Sequence, residues 1–292
     1  MGVQRALILK YLLVLTTATL AATKVSLQSL VAKGKSPSTS DRIFYTMLMF
    51  FAASLLFLPY IFTATATVWL YAAIYAVCNG LFQIFYICSL SRGNVSLTVM
   101  LANFGILIPV GVSCLFYGES PSLIRIVGIC LIFLVFLLNV KGGMGAKRGY
   151  YPLVIAAMIT NGISTTVQKV FSRTGGGEGI FSFVSAGYLL AALFCGAIFL
   201  LISRRGEVCE RKTVTKRAIF ASIGAGIVLS VFLVVNIYAA GVIDGSFQYP
   251  AHAGGSILLS TLAGVLFFKD RLGAKQTVAC LIGLVAIVFM NF

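Results

Sequence analysis

Residues able to do chemistry are few in this chain, and their positions are informative. There is one histidine, His252, and seven acids: Asp41, Glu119, Glu178, Glu207, Glu210, Asp244 and Asp270. All seven acids fall at or beyond the ends of apolar stretches. No pair of carboxylates, HExxH, GxSxG or aspartate-rich metal motif appears, so neither a catalytic residue nor a metal site is expected. The glycines at 175–177 lack the Lys-Ser/Thr of a phosphate loop and read as a flexible connector. The expectation is therefore a non-enzyme without cofactors. No nucleotide-binding domain is present, and ATP-driven pumping would need a partner chain.

The polar residues inside apolar stretches carry more meaning, because hydrocarbon penalises them. Asn79, Gln83 and Tyr86 lie in the third stretch, with Asn79 and Gln83 one helical turn apart on one face. Asn103, followed by Phe104, lies in the fourth, and Asn161 and Gln168 lie in the sixth. Asn236 and Tyr238 are in the eighth, and Gln248, Tyr249 and His252 begin the ninth. Any one of these could serve only to hydrogen-bond two helices. Together they predict a wet cavity shared by the third, fourth, eighth and ninth helices. The candidate substrate-binding residues are Asn79, Gln83, Tyr86, Asn103, Phe104, Asn236, Tyr238, Gln248 and His252. Tyr86, Tyr238 and Phe104 could form an aromatic box for a cation. His252 is either a proton-sensitive group or a hydrogen-bonded one.

Lys24 and Lys169 complete the candidates. They sit near opposite ends of their helices, where a lysine can snorkel to the interface. The functional alternative is that they cap the cavity from its two faces and attract anionic groups. Gly80, Gly105, Gly111, Gly254 and Gly255 allow helices to approach closely. Pro109 removes a backbone hydrogen bond and marks a hinge in the fourth helix.

The elements that must position these groups follow from composition. Hydrophobic residues make up 60 % of the 292 residues and charged residues 10 %, with a mean hydropathy of +1.03. A water-soluble domain is roughly 45–50 % apolar and about 25 % charged. A bilayer is the solvent that suits this chain, and a span needs about 20 apolar residues. Ten apolar stretches qualify: Ala6–Val31, Ile43–Phe62, Val68–Leu90, Leu97–Tyr117, Leu123–Val140, Tyr151–Phe171, Ile180–Ser203, Ala218–Gly241, Ser246–Phe268 and Gln276–Phe292. Short breaker-rich connectors join them, and barrel-type alternation is absent, so the spans are read as helices. Arg5 and Lys10 ahead of an apolar stretch resemble a signal peptide. No small-x-small cleavage site follows Ala22, and the stretch has a partner in the second half, so a retained helix is expected. Six of seven cysteines fall in apolar stretches without CxxC spacing and read as packing residues; Cys209 lies in a polar connector. The net charge of +15 fits loops that meet lipid head groups better than nucleic acid.

The chain repeats itself. Tyr86 and Gly93 recur as Tyr238 and Gly245, the end Leu115-Phe116-Tyr117 recurs as Leu266-Phe267-Phe268, and Lys24-Val25 recurs as Lys169-Val170. These anchors divide the chain into residues 1–145 and 146–292, five stretches each. Five is odd, so the second half enters the membrane from the opposite side. The expected fold is all-α integral membrane, ten transmembrane helices as two inverted five-helix repeats. Inverted repeats are frequent in secondary transporters.

On these residues the chain resembles the drug/metabolite transporter superfamily, most nearly its ten-helix EamA-type members. Lys24, the Tyr86-to-Gly93 segment, and Pro109 through Phe116-Tyr117-Gly118-Glu119 carry the resemblance. Two departures stand in the second half: Ser260 lies opposite Pro109, and Lys269-Asp270 replaces Gly-Glu. The resemblance implies a central cavity near the repeat interface and a small-molecule substrate. Lysines and arginines concentrate on one side of the predicted spans, the Arg204–Arg217 connector above all, which places both termini outside. The expected location is the plasma (inner) membrane of a bacterium, with membrane lipids as surroundings. The expected function is alternating-access transport of an amino-acid-like or other neutral, zwitterionic or anionic metabolite. A flippase for a lipid-linked carrier, a transporter of cationic amines through an aromatic box, and a solute channel are the alternatives. Oligomeric state is not legible.

Overall fold

The computed structural model describes residues 2–32, 38–93, 95–118, 122–140, 148–174, 179–204, 215–268 and 274–290. Glu119, Glu178, Glu207, Glu210, Asp270, Cys209 and the glycines at 175–177 lie outside the described residues. Among the described residues there are eleven α-helices and no strand. They are α1 (Gly2–Ala32), α2 (Thr39–Leu55), α3 (Ala66–Leu90), α4 (Val95–Asn103), α5 (Leu107–Tyr117), α6 (Leu123–Val140), α7 (Tyr150–Thr174), α8 (Ile180–Arg204), α9 (Lys216–Val242), α10 (Gly245–Phe268) and α11 (Ala274–Met290).

Local chemistry sets several boundaries. Ser38 caps α2: its hydroxyl accepts from the Asp41 amide while the Asp41 carboxylate accepts from the Ser38 amide, a capping box. Thr65 caps α3 by accepting from the Val68 amide. Gly118 ends α5 at φ 65°, a conformation that favours glycine. Two expected helices are cut by proline. The second apolar stretch does not run unbroken to Phe62. Pro59 lies four residues beyond Leu55, its ring would clash with that carbonyl, and the chain continues as a 3-10 turn over Leu58–Thr63. The fourth stretch is broken at a 3-10 turn, Phe104–Ile106. Pro109 has no N–H to offer the carbonyl of Gly105, four residues back.

Among the described residues the five most extensive helix pairings join α1, α2, α3 and α6 to α7, α8, α9 and α11: α1–α9, α2–α8, α3–α7, α3–α8 and α6–α11. α1 packs on α9 and α10, and α7 packs on α3 and on the α4–α5 pair. α2 lies against α8 and α9, α8 also lies against α3, and α6 pairs with α11. One core cluster joins α2, α3, α7, α8 and α9, with Phe171 stacked on Phe183 at 4.3 Å and Phe50 on Tyr188 at 5.7 Å. The Tyr75 hydroxyl donates to the Tyr188 hydroxyl, which donates to the Leu229 carbonyl at 3.2 Å.

The surface inverts the pattern of a water-soluble protein. Leu15, Phe62, Leu115, Phe116, Phe220 and Phe267 are all exposed, whereas Lys24, Gln28, Asn79, Gln83, Gln168 and Asn236 are buried. Among the described residues six helical stretches are long and apolar enough to cross a bilayer: Ile8–Ala32, Ala66–Leu90, Leu97–Tyr117, Ile180–Ser203, Lys216–Val242 and Gly245–Phe267. These features mark a multi-pass membrane protein.

Candidate functional site

A polar cavity lies among α1, α3, α4, α7, α9 and α10, with about 80 Å³ of free space. That is room for several waters, since one needs about 10–15 Å³ on this measure. Each helix contributes one face. From α3 come Asn79, Phe82, Gln83 and Tyr86, spaced three and four residues apart as one face requires. Lys24 enters from α1, and Asn103 from the end of α4. Asn161, Thr165 and Gln168 enter from α7, Phe232 and Asn236 from α9, and His252 and Ser256 from α10.

The helix break brings α4 into place. A Cβ on Gly105 would overlap the Met158 carbonyl of α7, and one on Gly162 would overlap the Gly105 carbonyl. Backbones therefore meet directly at this crossing. Beside it the Asn161 amide donates to the Ala102 carbonyl at 3.1 Å. The Asn103 amide donates to the Val99 carbonyl of its own helix at 2.8 Å. Each asparagine spends one N–H on backbone.

Amide pairs brace the cavity at two places. The Gln28 side chain donates to Gln83 Oε1 at 2.8 Å, joining α1 to α3. The Asn236 side chain donates to Gln168 Oε1 at 2.7 Å, joining α9 to α7. Gln248 supports the second pair from α10, its Nε2 donating to the Asn236 carbonyl at 3.0 Å and to Asn236 Oδ1 at 3.2 Å. His252 Nδ1 is 3.2 Å from Thr17 Oγ1 on α1, and its ring lies 5.4 Å from that of Phe232.

Lys24 is buried, 8 % exposed, with its ammonium 5.7 Å from the Phe82 ring and 5.9 Å from the Tyr86 ring. Among the described residues no hydrogen-bond acceptor or carboxylate reaches that ammonium. Asn79 is 4 % exposed, and its Nδ2 has no hydrogen-bond partner. Of the described acids, Asp41 belongs to the α2 cap and Asp244 is exposed at the α9–α10 turn. Neither lines the cavity. Among the described residues no cluster of metal-ligating groups occurs.

Of the eleven sequence candidates, Lys24, Asn79, Gln83, Tyr86, Asn103, Asn236 and His252 meet at this cavity. Four lie elsewhere. Lys169 is fully buried and donates to the Ala240 carbonyl of α9 at 3.2 Å, so it does not cap the cavity. Tyr238 is 47 % exposed on the outer face of α9. Phe104 packs with Leu97, Leu101 and Tyr150. Gln248 is fully buried behind Asn236. With Phe104 and Tyr238 turned away, the aromatic box expected from Tyr86, Tyr238 and Phe104 does not assemble; Phe82 and Phe232 stand in the cavity wall instead. Those two rings and Gln28 were missed. Gln28 carried a signal, being one helical turn from Lys24; a phenylalanine within an apolar helix carries none.

No family model matches this chain, and no curated protein does. A solved structure described only as "Crystal structure of protein" aligns with a TM-score of 0.65 at 17 % identity, covering 94 % of this chain and 95 % of that chain. The likeness is one of fold, over nearly the full length of both.

Proposed function

We propose that this protein is a secondary transporter of the drug/metabolite transporter type, with ten spans arranged as two inverted five-helix repeats. It moves a small neutral, zwitterionic or anionic metabolite by alternating access. The observation that carries this reading is the cavity: a polar chamber enclosed by an apolar exterior, with walls from both halves of the sequence. Intramembrane polar groups that converge on a cavity mark a solute path.

The helix pairing supports the repeat. If the helices of residues 1–145 correspond in order to those of 146–292, α1 on α9 becomes α7 on α3, and α1 on α10 becomes α7 on α4–α5. Likewise α2 on α9 becomes α8 on α3, while α2 with α8 and α6 with α11 exchange into themselves. Each half also carries one amide pair between its first and third helices, Gln28–Gln83 and Gln168–Asn236, although the paired residues are not at matching positions of the repeat. Two like halves packed in opposite senses can rock about a fixed central site. A bacterial plasma membrane suits this reading.

One observation favours a second reading, a flippase for a lipid-linked carrier. An apolar groove of about 450 Å³ runs between α1 and α10, lined by Tyr11, Leu15, Phe247 and Leu259 among others. An acyl or prenyl tail would fit there while its head entered the cavity.

Reconstitution into liposomes separates the readings. A panel of organic acids, amino acids, nucleosides, amines and sugar phosphates should include a solute with saturable uptake and counterflow. A channel conducts without counterflow. A flippase instead equilibrates a fluorescent lipid between leaflets and leaves every soluble probe outside.

A further inference from the structure

Lys24 and Asn79 define what the cavity lacks. Both are more than nine-tenths buried, both line the cavity, and both hold donors with no acceptor among the described residues. The Lys24 ammonium lies beside the α3 face that bears Phe82 and Tyr86, and Asn79 lies on that same face one turn away. Ring contacts stabilise an ammonium by about 0.5–2 kcal/mol each but do not neutralise it. The balance of charge here is one cation and, among the described lining residues, no acid.

We infer that the solute of this cavity is a small carboxylate anion bearing a neutral hydroxyl, a hydroxy acid, with its carboxylate on Lys24 and Asn79. This rests on the transport reading above and narrows it to a substrate class. The carboxylate follows from the two vacant donors. Its negative charge cancels that of Lys24, so the loaded cavity is neutral. A zwitterion would leave a net positive charge in the membrane and an amine would leave two, at about 2.5–3.5 kcal/mol or more for each. The hydroxyl follows from Asn103 and Asn161. Each commits one N–H to a backbone carbonyl, Val99 for Asn103 and Ala102 for Asn161, and its amide oxygen remains as an acceptor in the cavity wall. A group that donates without a charge completes them.

A matched set of three-carbon probes tests this in proteoliposomes: L-lactate, propionate, L-alanine and 1-amino-2-propanol, with phenyllactate as a bulkier hydroxy acid. L-lactate or phenyllactate should show saturable counterflow. It should compete about tenfold or more better than L-alanine or 1-amino-2-propanol, and better than propionate. Lys24→Gln should weaken that hydroxy acid by about tenfold or more, as loss of a charged hydrogen bond requires, while Lys24→Arg retains it. Asn79→Ser should weaken hydroxy acid and propionate alike. Thermal unfolding in detergent, unchanged in Lys24→Gln, separates lost binding from lost folding, and Lys24→Arg gives the same answer if the Gln variant does not fold. Counterflow of L-alanine or 1-amino-2-propanol with both hydroxy acids inert would overturn the hydroxy-acid inference and leave transport standing. Absence of counterflow for these probes and for the wider panel would overturn transport itself.

Discussion

Lys24 in α1 and Lys169 in α7 occupy corresponding places in the two halves of the proposed repeat, and they are used in opposite ways. Lys169 is sealed in the packing between α7 and α9, its ammonium on the Ala240 carbonyl. Lys24 projects into the cavity with no acceptor among the described residues. The amide pairs differ in the same sense. Asn236 is held by both Gln168 and Gln248, whereas among the described residues Gln83 is held by Gln28 alone. The helix crossings differ as well. At Gly105 and Gly162 backbones touch directly, whereas the crossing of α10 on α1 meets at Gly255 and the Ala18 methyl. Both amide pairs are formed, and the plainest contrast lies in the lysines: Lys169 is bonded within the packing, and Lys24 faces the cavity.

The largest effect should come from the crossings. Gly105→Val places atoms where the Met158 carbonyl stands, and neither backbone can yield. It should abolish folded protein, read as yield and melting temperature in detergent. Gly255→Ala meets only the Ala18 methyl, at 2.9 Å, and should cost no more than about 1–3 kcal/mol. Equal losses in the two variants would remove the distinction between the crossings.

The lysines come next. Lys169→Ala should lower stability by about 1.5–3 kcal/mol, the range for a hydrogen bond to a charged group. Lys24→Gln should leave the melting temperature in place and remove the response to a carboxylate. If the two variants exchange these phenotypes, the assignment of Lys24 to the solute and Lys169 to the packing is reversed. The smallest effect belongs to the amides. Gln248→Leu and Gln28→Leu should each cost about 0.6 kcal/mol, the mean for polar contacts between membrane helices, and Gln248→Leu should cost the more, because both its bonds go to oxygen whereas one of the two from Gln28 goes to the Met49 sulfur.

Much of this was readable from residue order because a bilayer leaves helices few choices. Each of the ten apolar stretches lies on helix over most of its described length, and Leu123–Val140 matches α6 at both ends. The misreadings are local and have physical causes. Pro59 truncates α2 and Pro109 splits the fourth stretch, each by removing a backbone bond that apolar counting does not register. The cavity was legible wherever a polar residue stood in an apolar run. The facing of Tyr238 was misread although spacing contradicts it, since residues two apart on a helix do not share a face and Asn236 points inward. Lys169 was misread for a different reason. Sequence places a lysine near a helix end but does not reveal which carbonyl it meets, and Ala240 is 71 residues away.

Alternating access is the central claim, and cross-linking tests it most directly. In a background without native cysteines, Gln168→Cys with Asn236→Cys can be bridged by a short bifunctional thiol reagent to lock the α7–α9 end of the cavity. Gln28→Cys with Gln83→Cys locks the α1–α3 end in the same way. Access from each side of the membrane is then read with an impermeant thiol reagent, at Tyr86→Cys for the first lock and His252→Cys for the second. The account predicts reciprocal results: each lock opens the opposite end to one side of the membrane only, and either lock abolishes counterflow. If instead both reporter positions react from both sides whichever end is bridged, the cavity is a continuous pore and the alternating-access account is wrong.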